Sequence, residues 1–264
     1  MTVHEGGPVS TTTPPYFSGY ENFALERSPS GVLTVRLHTD VGPLVFTGTT
    51  HRDFPRLIEE IAYDRDNTIV VLTGTGDRFI TEIDGPSLGD FTKPMSADVA
   101  YVEGRRGIQH LVDLEIPIVA AVNGPVSVHS EYVLLADVVV ASDTTVFSDL
   151  PHLASGIAPG DGLFVVWEEV LGLNRARNLE ITQGSFTAQQ ALDWGAIAEI
   201  VPLAEVLPRA QAIAETITQR PQLTNRYMAM IFRQRISRRL AEGVALGMAL
   251  ESLTAANLAY LPKP

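Results

Sequence analysis

Two runs in this chain are apolar at successive positions: Asn67-Thr-Ile-Val-Val-Leu-Thr-Gly and Ile116-Pro-Ile-Val-Ala-Ala-Val-Asn-Gly-Pro. A strand with one wet face alternates apolar and polar residues, so runs of this kind need cover on both faces, which parallel sheets obtain from helices. A third strand, Asp137 to Ala141, follows closely. Helical patterns separate them. Phe54, Leu57, Ile58, Ile61 and Ala62 form a stripe behind a cap at Thr50 with Asp53 three residues on, Asp98 to Leu114 reads as a helix, and Ser130 to Ala136 as a short one. The alternation predicts an α/β class with parallel strands and right-handed crossovers.

Upstream, Asn22 to Arg27 and Gly31 to His38 alternate as strands about a Pro-Ser-Gly turn, and Pro43 to Thr47 follows. The segment from Asp77 to Asp98, with Gly85, Gly89 and two prolines, reads as loop. Downstream, a β-rich run ends at Phe147 and an apolar helix spans Leu163 to Leu171. Thr187-Ala-Gln-Gln is a capping box opening a helix that stops at Gly195, Ala198 to Pro202 is a last strand, and three helices follow at Leu203–Gln219, Gln222–Ile236 and Arg238–Tyr260. The expected organisation is a flexible lead-in over 1–19, a core over 20–202 and a helical region over 203–264.

A formal charge of −12 opposes nucleic acid or an anionic membrane as partner. The one basic cluster, Arg233 to Arg239, reads as a solvated or subunit-facing surface. The N-terminal residues lack the basic-then-apolar order of a signal peptide, and no run approaches the ~20 apolar residues of a membrane-spanning helix. The absence of cysteine removes disulfides, thiol nucleophiles and thiolate metal sites and fits a cytoplasmic location.

Chemistry concentrates between Ser148 and Gly162, where His152 and Asp161 sit on a backbone made irregular by prolines and glycines. A histidine oriented by a carboxylate activates water at neutral pH; the other reading is a loop histidine satisfying a backbone carbonyl. His129 follows the turn at the end of a buried strand, where ligands of open α/β folds gather. His51 opens a helix and faces either a cleft or water, while His4, His38 and His110 read as surface or structural. Glu251 shares an apolar stripe with Val244, Met248, Ala255 and Leu258. A carboxylate there is costly unless it is functional, reaches solvent or meets an arginine. No His-x-x-x-His zinc spacing, nucleotide fingerprint, P-loop or Gly-x-Ser-x-Gly is present.

The two apolar runs resemble the crotonase (enoyl-CoA hydratase/isomerase) superfamily, as do Ala136-Asp-Val-Val-Val-Ala-Ser, Ser155-Gly-Ile-Ala-Pro-Gly-Asp-Gly, Ile181 to Leu192 and Trp194 to Pro202. The resemblance spans about residues 20–260. It implies a ββα spiral core and a C-terminal helical trimerisation region, with a homotrimer or dimer of trimers. The departures concern the site. Thr81-Glu-Ile-Asp84 stands where CoA-thioester enzymes usually carry Ala-Gly-Ala-Asp, and Val128-His129-Ser130 where they carry glycines that bring amides to a thioester oxygen. Their two glutamate positions fall at Tyr132 and His152.

Within the superfamily the pattern is similar to 6-oxocamphor hydrolase, a β-diketone hydrolase. The resemblance implies catalytic His152, Asp161, His129, Glu251 and His51, and a pocket of Phe46, Ile83, Glu82 and Tyr132, with Phe46 replacing an indole. It implies hydrolysis of the carbon–carbon bond between two carbonyls of a cyclic or bicyclic β-diketone, a retro-Claisen reaction giving a keto acid. In it His152, steadied by Asp161, activates water, and no metal or cofactor is needed. The alternative is a crotonase-type enzyme acting on an acyl-CoA thioester.

Overall fold

The structure, a computed structural model, describes residues 13–261. His4 and the expected lead-in as far as residue 12 lie outside the described residues. The rest of that lead-in is packed. Pro15–Ser18 forms a 3₁₀ turn with Tyr16 buried; the Tyr16 hydroxyl donates to Asp64 Oδ2 (2.9 Å) and accepts from Asn67 Nδ2 (2.9 Å).

The first half of the chain forms β1 (Phe23–Arg27), β2 (Val32–Leu37), β3 (Leu44–Phe46), α1 (Gly48–Tyr63), β4 (Ile69–Thr73), β5 (Ile80–Ile83), α2 (Pro94–Asp113), β6 (Ile118–Val122) and α3 (Ser130–Leu134). Then come β7 (Val138–Ser142), β8 (Val146–Ser148), α4 (Leu163–Leu171), α5 (Leu173–Ile181), β9 (Ser185–Thr187) and α6 (Ala188–Asp193). The chain ends with β10 (Glu199–Val201), α7 (Leu203–Thr218) and α8 (Gln222–Asn257).

Six strands make one sheet in the order β1-β2-β4-β6-β7-β10, parallel except for the β1–β2 pair. The continuous apolar runs follow from its two covers. Ile69, Val71, Val119, Ala121 and Val140 meet Val206, Ala210 and Ala214 of α7. Their alternate neighbours Val70, Leu72, Ile118, Ala120, Val122 and Val139 turn to the larger core containing residues of α1, α2 and α4. Adjacent side chains point to opposite faces, so both faces being dry makes every position apolar.

The elements differ from expectation in five places. The α1 cap is Thr47, whose Oγ1 accepts from Thr50 N (3.3 Å), in a stretch where three threonines compete for that role. Helix α2 begins earlier than Asp98, with Pro94 in its first turn, where a missing N–H costs nothing. Strand β5 lies inside the segment read as loop, and α5 was not foreseen. Finally, α8 is one helix rather than two, since neither glycine nor proline interrupts Ile236 to Arg238.

The basic cluster at that point is partly internal. Arg233 is buried. Its guanidinium pairs with Asp137 and donates to the carbonyls of Leu114 (2.5 Å) and Ile116 (3.1 Å), while Asp137 also accepts from Ile118 N (2.8 Å). Arg239 pairs with Glu168 and Glu169. These arginines bind α8 to the mouth of the sheet and to α4. Among the described residues no helix is long and apolar enough to cross a membrane.

Replacing Arg233 with alanine takes the cation from Asp137, which keeps only the Ile118 amide, and the donor from two carbonyls. Because Asp137 retains some exposure (24%), the loss expected in urea unfolding is at the lower end for a broken buried pair, about 3 kcal/mol. A loss below about 1 kcal/mol, that of a surface pair, would refute the buried tie.

Candidate active site

Past the ends of the parallel strands, loops and helices enclose a cavity. Phe46 comes from β3, Ile83 from β5, His51 from α1, and His129 from the loop after β6; Pro151, His152 and Asp161 follow β8, and Met248 and Glu251 come from α8. Leu88, Phe91 and Ala100 complete the lining. The β3–β5 pairing sets which side chains face it. Phe46 is partnered with Ile83 and Val45 with Glu82, so the period of two turns the first pair inward and the second outward. Glu82 therefore does not line the cavity, contrary to the sequence reading; it is exposed and pairs with Arg78 (3.4 Å).

His129 is held in an unusual backbone conformation, with φ 53° and ψ 48°. That left-handed region is natural for glycine and uncommon for a side chain, though histidine tolerates it better than most. Packing holds it there. The ring stacks on Tyr132 (centroids 4.6 Å, interplanar 3°) and tilts against Phe46 (4.3 Å), and Tyr132 stacks in turn on Phe54 (4.4 Å). Tyr132 thus backs His129 and does not line the cavity. The polar group is its neighbour Glu131, fully buried, whose Oε1 accepts from His129 Nδ1 (2.7 Å). The sequence reading, one residue along, passed over it. Ser130 Oγ accepts from Trp167 Nε1 (3.0 Å), fixing α3 beneath.

His152 opens the 3₁₀ turn Leu153–Ser155, and its carbonyl accepts from Ser155 N (3.0 Å) and Ile157 N (2.9 Å). Its Nδ1 donates to Asp149, at 2.8 and 3.0 Å from the two carboxylate oxygens. This corrects the expected pairing: Asp149, not Asp161, fixes the ring's tautomer. Nε2 is left facing Asp161 Oδ2 (3.7 Å) and Glu251 Oε2 (3.9 Å). Asp161 Oδ2 also lies 3.3 Å from His129 Nδ1. Its Oδ1 accepts from Leu163 N (3.2 Å) at the start of α4. One carboxylate thus stands between two imidazoles.

Glu251 reaches the site through two glycines. A Cβ on Gly247 would lie 2.5 Å from Gly160 O, and one on Gly160 would lie 2.2 Å from Gly247 O. Their bareness lets α8 rest on the loop backbone. One turn further on, Glu251 Oε2 accepts from Gly160 N (3.0 Å), and Thr254 Oγ1 from Ala158 N (3.0 Å). The carboxylate on the apolar stripe therefore neither reaches solvent freely nor meets an arginine. His51 lines the cavity with Nδ1 on Glu103 Oε2 (3.1 Å); His38 and His110 bond backbone carbonyls.

The electrostatics follow from this crowding. Burial disfavours an imidazolium at His129, but Glu131 and Asp161 more than offset it and raise its pKa from 6.5 to about 10. Burial likewise opposes the charge on His152, and Asp161 foremost, with Asp149 and Glu251, lifts it to about 10. Burial and then Asp161 push Glu131 and Glu251 up to about 7. For Asp161 burial would raise the pKa, but His152 and His129 hold it well below the carboxylate range. The site therefore favours two imidazoliums around an ionised Asp161, with two carboxyls exchanging protons near neutrality. Ligand atoms of His129, Glu131 and Asp161 also lie within 4.8 Å of one another, a donor set of the kind that binds a divalent cation. A cation there would displace the proton on Nδ1 that now joins them.

Known proteins place the fold. The pattern of the family described as enoyl-CoA hydratase/isomerase matches residues 27–258. A β-diketone hydrolase from the cyanobacterium Anabaena sp. PCC 7120, solved with (S)-3-oxocyclohexyl acetic acid bound, is 46% identical, with a TM-score of 0.92 over 94% of this chain and 99% of that one. An enoyl-CoA hydratase/isomerase structure from Mycobacterium paratuberculosis shares the fold at 22% identity, with a TM-score of 0.80 over 89% of this chain and 94% of that one. In Arabidopsis thaliana the probable peroxisomal enoyl-CoA hydratase 1 is 26% identical over 75% of this chain and 73% of its own.

Folding stability should record the cluster's charge. Histidines lifted from 6.5 to about 10 stabilise the fold fully below pH 6.5, and that contribution is lost as pH rises through 10. The raised glutamates stabilise below pH 4.5 and have lost most of their contribution above 7. Between pH 7 and 10 the Tm of the wild-type protein should therefore fall more steeply than that of His152→Gln, measured by scanning calorimetry. Equal slopes would show that His152 does not hold its proton in the folded state.

Proposed function

Because the chain belongs to the enoyl-CoA hydratase/isomerase family, yet carries a histidine at a backbone position suited to glycine, we propose that it is a β-diketone hydrolase. The observation that carries this reading is the convergence of His129 and His152 on one cavity, with Asp161 between them. The 46% identity to the Anabaena β-diketone hydrolase supports it.

The reaction adds water across the carbon–carbon bond between two carbonyls. A base takes a proton from water and the oxygen adds to one carbonyl carbon. The bond to the carbon between the carbonyls then breaks, leaving a carboxylic acid and an enolate, and the enolate carbon recovers the proton. His152 Nε2 is the basic atom, since Nδ1 is committed to Asp149. The surrounding charge keeps it protonated at neutral pH, and Glu251 at 3.9 Å is the group that can take that proton. His152 and Glu251 therefore titrate as one unit. His129, cationic and rigidly stacked, donates to the departing carbonyl oxygen and stabilises the enolate. Phe46, Ile83 and Met248 supply the apolar wall, and the diketone is its own electron sink.

The keto acid in the Anabaena structure suggests a substrate. Joining its carboxyl carbon to the ring carbon beside the ketone, on the side away from the acetate branch, gives a bicyclic β-diketone. With that compound the protein should release keto acid, followed by loss of ultraviolet absorbance and by chiral product analysis. His152→Ala should lower kcat about a hundredfold or more. The wild-type kcat/KM should rise with pH through the range above 7 as His152 gives up its proton. Asp161→Asn removes the largest charge holding that proton, so its rise should move to lower pH. Near-full turnover by His152→Ala would sink the assignment.

The competing reading, an enzyme of acyl-CoA thioesters, is favoured by the curated relatives that share the family. Hydration of a short enoyl-CoA with no cleavage of the diketone would establish it.

We also propose that the protein assembles as a homotrimer or dimer of trimers. Leu223, Tyr227 and Ile231, then Leu246, Leu250 and Leu253, leave large apolar side chains exposed at helical spacing along α8, a surface that isolated proteins rarely show. Light scattering after size exclusion should give three or six times 28.6 kDa; a monomer would refute it.

A further inference from the structure

Beside the cavity one buried oxygen goes unused. Glu131 is 0% exposed, and while its Oε1 accepts from His129 Nδ1 (2.7 Å), its Oε2 has no hydrogen-bond partner among the described residues. A buried carboxylate oxygen without a donor opposes folding. No lysine or arginine supplies the missing charge: among the described residues Glu131 pairs with His129 alone, and Asp161 with His129 and His152. The reaction above uses Glu131 for nothing.

The surroundings of that oxygen suit a cation. Nδ1 of His129 faces two carboxylates at once, with Glu131 Oε1 at 2.7 Å and Asp161 Oδ2 at 3.3 Å, and ligand atoms of the three residues lie within 4.8 Å of one another. Bonds of about 2.1 Å to nitrogen and carboxylate oxygen place tetrahedral ligands about 3.4 Å apart. Asp161 already has that spacing, and Glu131 needs to withdraw by less than about 1 Å. The donors are held in advance: the His129 ring by Phe46 and Tyr132, and Asp161 by Leu163 N. His129 and Asp161 line the cavity, so an ion can enter from it and keep water in its remaining position. One imidazole with two carboxylates suits Zn²⁺, Co²⁺ or Mn²⁺, whereas Mg²⁺ and Ca²⁺ prefer oxygen alone. We propose that His129 Nδ1, Glu131 and Asp161 form a site for a divalent cation of the Zn²⁺ class. The ion takes the place of the Nδ1 proton, which leaves to solvent, and brings Oε2 the charge it lacks. It also engages Asp161 Oδ2, which otherwise faces His152 Nε2 at 3.7 Å. Cation and proton are thus alternative occupants of one cluster.

The test needs no substrate. Full-length protein without an affinity tag is stripped with EDTA and titrated with Co²⁺, whose visible absorption intensifies when water gives way to a four-coordinate protein site. The wild type should bind one equivalent, and Zn²⁺ should displace it. Glu131→Gln keeps an acceptor for His129 Nδ1 but gives up the carboxylate, and should weaken binding at least about tenfold. Glu103→Gln alters a second carboxylate–imidazole pair beside the cavity, that with His51, and should bind as the wild type does. Absence of saturable one-to-one binding refutes the site, as does undiminished binding by Glu131→Gln or an equal loss in both variants. Should Glu131→Gln fail to fold, ¹⁵N spectra of histidine-labelled wild-type protein decide: Zn²⁺ must move the His129 Nδ1 resonance, and a response confined to other histidines overturns the proposal. Diketone cleavage is assayed in metal-free buffer, so its failure would count against the hydrolase reading alone.

Discussion

One carboxylate between two imidazoles is the constraint around which this molecule is arranged. Asp161 is buried, and a buried charge survives only if opposite charge and donors surround it. Leu163 N takes one oxygen; His129 and His152 share the other. His152 keeps its Nδ1 for Asp149, while Nδ1 of His129 lies between Asp161 and Glu131. The burial that makes each group costly alone makes the set mutually dependent. This is why proton affinities are displaced across the whole cluster rather than at one residue.

Geometry at this density needs a stiff frame, and much of the fold serves it. The β3–β5 pair sets Phe46 against the His129 ring, and the stack continues through Tyr132 to Phe54 on α1. Helix α8 closes the other side through the glycine contact that delivers Glu251. Arg233 ties that helix to the mouths of β6 and β7. The site is built from segments far apart in sequence, and no single element would hold it.

What could be read beforehand follows from how local each signal is. The double-faced strands β4 and β6 and the Thr187 capping box were legible because their patterns are complete within a few residues. Glu251 stood out because a carboxylate on an apolar stripe contradicts its surroundings. Strand β5 was not legible: it pairs with only one short strand, and one of its faces is wet. Glu82 was misplaced with it, since a register of one residue decides which face a strand side chain takes. Asp149 and Glu131 escaped for a different reason. Their partners lie only two or three residues away, but a loop and a left-handed residue bring them together, and no periodicity describes either. Tyr132 was chosen where Glu131 does the polar work, and the cost of leaving a carboxyl unpaired in the core shows only once burial is known.

On the hydrolase reading proposed above, the left-handed backbone at His129 is where the scaffold's chemistry departs from that of a thioester enzyme. At φ 53° glycine sits without strain and leaves its backbone amides open to an oxygen. A histidine there costs conformational energy and fills that space with a ring. What it contributes in exchange is a charged donor whose strength depends on neighbouring carboxyls, where an amide's does not. Such a donor suits a reaction in which negative charge develops on a ketone oxygen as a carbon–carbon bond opens. On the hydrolase reading, the aromatic stack that fixes the ring against Phe46 and Tyr132 also serves the chemistry, because it holds the donor at the cavity.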